Sequence, residues 1–428
     1  MAGAESGFFQ RLLARTARVE PGEAKAVGAA FLLFFFVLGS YFAVRPVRET
    51  IGTILGRDAV ADLWLWTAVF SVVIVVVYGW LVSKVSRTIL MPCIYGAVAA
   101  LLAWLGAAMS QGEIDKDLAA IFYVAISVLN LMLVSVFWSF LLEVFSSEQS
   151  KRLFGPIAAG GTFGALLGPL STSLFADVLG NSGVLFVGAA GFACAILCQV
   201  ALLLNWKPRA QDVADAAPLD RGVGGNPFSG ISKVLTTPFL LGIATFVCLL
   251  SAANTILYFE QLRIVEETFA DEEARTRVFA TIDFVVQSLT VFTQLFVTGR
   301  IATRLGVKAL LTFLPLLMVL GFLALAAFHV FAVLVIVFVL RRWGEYAFIR
   351  PGREMLFSKL DTETKYKAKS FIDVPVYRFA DYVGAQAKVG VDALTASPTV
   401  SVLAGAVLAG LWAFNGWWLG RKHDQAPP

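Results

Sequence analysis

Histidine, cysteine and charge are all scarce in this chain, whose 428 residues hold two histidines, four cysteines and only 15% Asp, Glu, Lys and Arg. Cys93, Cys194, Cys198 and Cys248 fall inside apolar stretches. No loop therefore carries a disulfide framework or a zinc knuckle, and the four read as small buried hydrophobes. Two histidines, one of them in the C-terminal tail, leave little for a metal site or a His-based triad, so no metal, no other cofactor and no enzyme of these kinds is expected. The Gly-x4-Gly-Lys-Ser/Thr phosphate loop is absent as well, which argues against ATP-driven pumping by this chain. A net charge of +4 reflects a bias among loops and gives no surface for nucleic acid. Nor is there the continuous apolar core of a cleavable signal peptide: Arg11, Arg15 and Arg18 interrupt Phe8, Phe9, Leu12 and Leu13. Residues 1–25 are expected to form a cytoplasmic amphipathic segment lying on the lipid surface.

What is present is apolar: 58% hydrophobic residues and 36 phenylalanines, gathered into twelve stretches of about 17–28 residues each. Hydrocarbon offers backbone amides no partner, so each stretch must satisfy its own hydrogen bonds as a helix. The period-2 alternation of a membrane barrel is missing. A soluble helical protein would need polar faces at period 3.6, and residues 29–44 and 331–340 have none. The fold class expected is all-α integral membrane, with spans at 26–47, 63–82, 89–108, 118–145, 154–176, 183–204, 238–260, 278–297, 306–327, 331–347, 371–394 and 399–419.

Basic residues fill every second connection: Arg18 and Lys25, Lys84 and Arg87, Lys151 and Arg152, Lys207 and Arg209, residues 300–308, residues 350–369, and Arg421 with Lys422. The positive-inside rule then puts both termini in the cytoplasm, in a multi-pass protein of a bacterial inner membrane. Pro208, Asp212, Pro218, Gly222, Gly224 and Gly225 mark a flexible linker, so the domains expected are an N-terminal six-helix bundle at 26–206, a linker at 207–234, a C-terminal six-helix bundle at 235–420 and a tail at 421–428. The halves repeat weakly at a displacement of about 215–220 residues. Gly79-Trp-Leu-Val-Ser-Lys84-Val-Ser after the second span recurs as Gly299-Arg-Ile-Ala-Thr-Arg304-Leu-Gly after the eighth. This duplicated glycine-basic turn resembles the loop of the major facilitator superfamily, with Ser83 and Thr303 where that pattern usually has aspartate. Two six-helix bundles with a midplane cavity between them is the architecture that the resemblance implies.

Ionisable residues inside spans are costly and normally face a cavity or a partner. Arg45-Pro46-Val47-Arg48-Glu49 closes the first span, and Glu260 with Arg263 closes the seventh. Snorkelling to the interface is one reading, but a proline between two arginines favours a cavity. In span ten, Arg341 and Glu345 are four apart and can pair along one face, while Arg342 is rotated about 100° away. That pair is either an internal salt bridge or part of a substrate-facing cation site. Span eleven carries Asp373, Arg378, Asp381, Lys388 and Asp392, the last two sharing a face with Asp381. Asp283 and Gln287 form a polar stripe in span eight, and Asn130 and Glu143 in span four are a candidate hydrogen-bond partner and inner gate. Span five has no charge, and its Gly160-Gly161-Thr162-Phe163-Gly164 and Gly168-Pro169 allow close helix approach, either as static packing or as a flexing element.

Three segments carry a further resemblance. They are Arg45-Pro46-Val47-Arg48-Glu49, Phe137-Trp138 followed by Glu148-Gln149-Ser150-Lys151-Arg152-Leu153-Phe154-Gly155-Pro156, and Lys365-Tyr366-Lys367-Ala368-Lys369-Ser370-Phe371-Ile372-Asp373. Together they resemble the ATP/ADP translocases of plastids and intracellular bacteria and the bacterial transporters similar to them. The resemblance implies that Arg48 inherits a basic position of span one that contacts phosphate. The translocases carry a lysine in a glycine-flanked turn of span eleven, where this chain has Asp381 in Phe379-Ala380-Asp381-Tyr382-Val383-Gly384. An acid there repels phosphate, so nucleotide exchange is not expected.

The function expected is a secondary transporter working by alternating access on an organic anion or phosphorylated solute. Arg45, Arg48, Glu260, Arg341, Arg342 and Arg378 are the candidate substrate contacts, and Asp283, Glu345 and Asp381 the proton or counter-charge sites. The partners are a small-molecule solute, membrane lipid and, as coupling ion, a proton. Two alternatives stay open: proton-coupled movement of a neutral or cationic solute, and a non-transporting sensor or scaffold that keeps the fold.

Overall fold

The computed structural model describes residues 20, 22–112, 115–206, 229–357, 368–369, 371–395 and 397–425, and all of its regular structure is helical. Most of the amphipathic segment at 1–25 and of the linker at 207–234 lies outside the described residues, as do 358–367 and the end of the tail. The side chains of Ser83, Lys84, Asn130, Glu143 and Thr303 lie outside them too. The helices are α1 Ala24–Leu55, α2 Arg57–Lys84, α3 Arg87–Met109, α4 Lys116–Val144, α5 Ser147–Asn205, α6 Ser229–Thr236, α7 Pro238–Thr268, α8 Glu272–Thr293, α9 Gly299–Ala327, α10 Phe331–Gly344, α11 Arg350–Leu356, α12 Tyr377–Thr395 and α13 Pro398–Gln425. Three π-helical turns, Gln294–Thr298, Glu345–Ile349 and Ile372–Val376, continue or introduce α8, α10 and α12.

Every apolar stretch of the sequence has its helix. Two of them share α5, which breaks at Gly180 (φ 65°, ψ 173°), a backbone conformation that a side chain resists. Gly306 (φ 77°, ψ 178°) makes the same break in α9. Among the described residues seven helices are long and apolar enough to cross a membrane. Helices α8 and α12 are not among those seven, because Arg277 and Asp283 on one, and Arg378, Asp381, Lys388 and Asp392 on the other, lower their hydropathy. Those are the helices on which charge must be met by protein and not by lipid. Two helices run eight residues past the sequence expectation: α7 reaches Thr268 instead of ending at 260, and α1 runs through Pro46 to Leu55 instead of ending at 47. A single proline costs only the bond to the carbonyl four residues back, and transmembrane helices tolerate it. Gly56 (φ 82°) then stops the helix.

The chain divides into two units. The first comprises Met1–Arg48, Val73–Gly222 and Glu272–Phe284. Within it α5 lies so close to α1 that Gly160, Gly164 and Gly168 touch the backbone of Phe31, Phe35 and Gly39, where no Cβ fits. Phe34 stacks on Phe137 at 4.0 Å between ring centroids, which ties α1 to α4. Ser146 and Gln149 form a reciprocal capping box at the start of α5. One turn on, Arg152 grips Glu23 with two hydrogen bonds of 2.9 and 3.1 Å.

The second unit comprises Glu49–Val72, Val223–Asp271 and Val285–Pro428. Helices α9 and α13 pack along one another, with Gly416 against the Leu311 carbonyl and Gly420 against Lys308. The Asp424 carboxylate accepts from the Val307 and Lys308 amides at 3.1 and 3.2 Å, capping the helix that restarts after Gly306. About 220 residues earlier, at the matching point of the repeat, Ser86 caps α3 with its own hydroxyl. The Cys93, Cys194, Cys198 and Cys248 thiols are free, and none is buried as the sequence led us to expect: Cys93 and Cys248 are exposed, and Cys194 and Cys198 half-buried.

Candidate functional site

In the second unit, α7, α10 and α12 bring polar side chains together in helices that are otherwise apolar. The i,i+4 spacing on α10 gives the expected pair: Arg341 Nη1 lies 3.0 Å from Glu345 Oε2. The same nitrogen donates to Asn254 Oδ1 at 2.5 Å, and Arg350 approaches the other Glu345 oxygen at 3.4 Å. Arg341 and Arg342 both lie over the Phe338 ring, at 5.1 and 5.7 Å from its centroid. All three members of the Arg341, Arg342 and Glu345 group are buried. On α12, Asp381 accepts a 2.5 Å hydrogen bond from the Ser251 hydroxyl of α7, with Arg378 Nη1 3.8 Å away. Gly384 sits against Thr255, keeping α7 and α12 close enough for that bond. The group thus holds Arg341, Arg342, Arg350 and Arg378 against Glu345 and Asp381.

A second network in this unit is charge-balanced. Glu260, fully buried, accepts from Arg263 at 2.5 Å through one oxygen and from Lys388 at 3.0 Å through the other. Lys388 also meets Asp392, which accepts from Ser401 and lies 3.8 Å from Arg57. Exposed Glu267 takes the far nitrogen of Arg263 at 3.6 Å. Glu260, expected as a substrate contact, therefore has both oxygens engaged. Gln386 donates to Asp62 at 3.2 Å, and Trp64 packs on Tyr258 and Phe259 beside them.

The first unit has its own group. Arg45 Nη1 lies 3.5 Å from Asp283 Oδ2, so the end of span one and the stripe of span eight meet as ion-pair partners. Arg48 lies 4.9 Å from the Tyr123 centroid, a cation–π contact. Nearby, Thr276 donates to Asn181 at 2.7 Å, the Ser173 and Thr281 hydroxyls are 2.7 Å apart, and Arg277 pairs with Asp177.

Several of these residues escape sequence reading. Ser251 and Asn254 are polar residues three apart inside the apolar stretch 238–260, a signal that could have been weighed. Arg350 reads as a loop cation by sequence, yet stands at the head of α11 above the Tyr346 ring, 4.5 Å from its centroid. Among the described residues no group of His, Cys, Asp and Glu could hold a metal ion.

No family model matches the chain. ADP,ATP carrier protein 1 of Chlamydia muridarum is 23% identical over 464 residues, covering 93% of this chain and 87% of that protein. ADP,ATP carrier protein 1 of Chlamydia trachomatis serovar D is 24% identical over 426 residues, covering 83% and 80%. Among solved structures, the nucleoside transporter NupG superposes with a TM-score of 0.66 at 14% identity, over 95% of this chain and all of that one. The POT family transporter PepTSo gives 0.63 at 11% identity, over 94% and 99%. A bacterial homolog of the human lysosomal transporter Spinster, inward-facing and unoccupied, gives 0.61 at 12% identity, over 96% and 100%. The chain is an all-helical, multi-pass membrane protein with the major facilitator fold, and a distant homologue of the Chlamydia ADP,ATP carrier proteins.

Proposed function

We propose that this protein is a secondary transporter that alternates access between two six-helix halves and carries an organic anion or phosphorylated solute. The observation that carries the reading is the cluster of cations set into otherwise apolar helices beside α7, α10 and α12: Arg341 and Arg342, both buried, and Arg378, beside Glu345 and Asp381. Cations inside a membrane protein are costly and mark substrate pathways, and an anionic solute is the class that they attract. In the first unit Arg45 pairs with Asp283 and Arg48 lies over the Tyr123 ring. Arg263, Lys388 and Arg57 are balanced by Glu260, Asp392 and Glu267, and their network reads as structural, with Glu260 positioning Lys388. Asp381 and Glu345 are the groups that could carry a coupling proton, and Asp283 the countercharge of Arg45. Both termini are assigned to the cytoplasm of a bacterial cell, on the positive-inside distribution of loop charge.

Purified protein warmed with nucleotides, sugar phosphates, carboxylates and amines in turn tests the solute class, because a ligand of the folded state raises its melting temperature. An anion that raises it in the wild type and not in Arg342→Ala supports the proposal. Stabilisation by amines alone would favour the cationic alternative. A second reading, exchange of adenine nucleotides, is favoured by the names of the two homologues. Labelled ATP exchange in reconstituted vesicles decides it.

A further inference from the structure

A cavity of about 380 Å³ opens in the second unit between α8 and the π turn Glu345–Ile349 with α11, apart from the Arg342, Arg378 and Asp381 side chains. That volume lies within the range of small-ligand sites, which is about 300–1,000 Å³. Gln287, Thr290 and Gln294 line one wall at helical spacing, and Tyr346, Arg350 and Glu354 line the other at i, i+4, i+8. Two π turns meet here, and Gln294 Nε2 bridges them by donating to the Tyr346 carbonyl at 3.0 Å. Widened turns of this kind recur at functional sites.

Two side chains lack what a ligand would provide. Arg350 is held from below by the Tyr346 ring and from behind by Glu345 at 3.4 Å, while its side chain remains 57% exposed. Thr290 is only 5% exposed, and its hydroxyl has no hydrogen-bond partner. Other helical hydroxyls, such as those of Thr245, Thr255 and Thr281, donate to the carbonyl four residues back. Threonine in a helix divides between two χ1 rotamers, and exchange between them can turn the Thr290 oxygen toward the cavity it lines. The acid on the rim, Glu354, is met by Lys369 at 2.5 Å, so its charge does not oppose an anion.

We propose that this cavity is a binding site for an oxyanion, a phosphate or carboxylate group on a small organic body. Arg350 meets the charge, Thr290 donates its hydroxyl and Gln287 its carboxamide, and Tyr346 packs against the body. The site is separate from the transported solute's, but it is wired to it. An anion on Arg350 competes with Glu345, and Glu345 is the carboxylate that also holds Arg341. Occupancy of the cavity therefore loosens the Arg341 pair from outside the Arg342, Arg378 and Asp381 group. The occupant's oxyanion could come from a soluble metabolite or from a phospholipid headgroup.

The test uses the full chain in detergent with phenyl phosphate as probe, and inorganic phosphate and benzoate beside it, read by titration calorimetry and melting temperature. Saturable binding of phenyl phosphate or benzoate is expected. Thr290→Val and Arg350→Gln should each weaken it at least about tenfold, whereas Arg342→Ala and Arg378→Ala should keep it. Thr290→Val is nearly isosteric, and an unchanged melting temperature without ligand shows that it folds. Native mass spectrometry separates the sources. A phospholipid retained by the wild type, displaced by phenyl phosphate and lost in Arg350→Gln, identifies a headgroup; probe binding with no retained lipid identifies a soluble anion. The proposal is overturned if no probe binds saturably, or if binding survives both cavity variants. Loss of binding in Arg342→Ala with retention in the cavity variants also overturns it, while leaving the transporter reading intact.

Discussion

Arg341 and Arg342 are neighbours in sequence with different partners in space. Arg341 closes a bond to Glu345 and another to Asn254, so its removal leaves a buried carboxylate short of a cation, a change that costs about 3–5 kcal/mol in other proteins. Arg350 on the second Glu345 oxygen softens that loss. Arg341→Ala is expected to lower the melting temperature of the purified protein, and adding Glu345→Ala to restore much of it. Arg342→Ala is expected to leave the melting temperature near wild type and to abolish uptake into proteoliposomes; normal uptake would remove its assigned role. Asp381 belongs to the same scale. A carboxylate beside a polyphosphate at low effective dielectric adds repulsion on the order of several kcal/mol unless it is protonated or paired. Its partners are one hydroxyl and an arginine 3.8 Å away, fewer than a polyphosphate site asks for. No appreciable ATP/ADP exchange is expected, and rapid exchange of labelled ATP would refute this. If Asp381 carries the coupling proton, uptake by Asp381→Asn should lose its pH dependence. The charged members of this site were legible in the sequence because a charge inside an apolar stretch announces itself. Their partners were not: Lys388 finds Glu260 across 128 residues, and Asp381 finds Ser251 across 130, choices that only the packing of α7 on α12 makes.

At the scale of helices, the apolar stretches located nearly every element, since in hydrocarbon length and hydropathy leave the backbone no other choice. What they could not give was how helices begin, bend and touch. Pro46 looked like a terminus and is interior, because the loss of one hydrogen bond does not end a helix whose neighbours hold it on both sides. Gly180 and Gly306 fall at joints that the sequence expects, between the spans 154–176 and 183–204 and at the start of 306–327, but the sequence did not announce their positive φ, which lets one helix run into the next. The glycines of span five, by contrast, announced close packing, and they sit against α1 with no room for a methyl group. Gly164→Ala should force α1 and α5 apart and cost about 1–3 kcal/mol, the usual penalty for overpacking. A lowered melting temperature with expression retained is the expected result. Gly155→Ala on the same helix, where nothing lies within 4 Å, is the control and should be neutral. At the other end of the chain, Asp424→Ala removes the cap after Gly306 and should destabilise by about 1 kcal/mol, as lost N-caps do.

At the scale of the molecule, the two units cut across the two halves of the sequence. Glu49–Val72, from the first half of the sequence, belongs to the second unit, and Glu272–Phe284, from the second half, belongs to the first. The two exchanged segments lie about 220 residues apart, the displacement of the repeat itself. Each is fastened by polar contacts: the first through Arg57 to Asp392 and Asp62 to Gln386, the second through Arg277 to Asp177, Thr281 to Ser173 and Thr276 to Asn181. A scaffold protein could keep such fastenings for its lifetime. A protein in which two sequence halves alternate access has to open them in every cycle, so fixing one of them should arrest it. Ser173 and Thr281, whose hydroxyls are 2.7 Å apart, are the place to do so. With Cys93, Cys194, Cys198 and Cys248 replaced by serine, the Ser173→Cys, Thr281→Cys double variant should take up solute under reducing conditions and stop on oxidation, with recovery on adding dithiothreitol. Each single variant should be indifferent to oxidant. Uptake that continues at full rate through a completed crosslink would mean that this contact stays closed throughout transport, and the alternating movement assigned to the two halves would have to be abandoned.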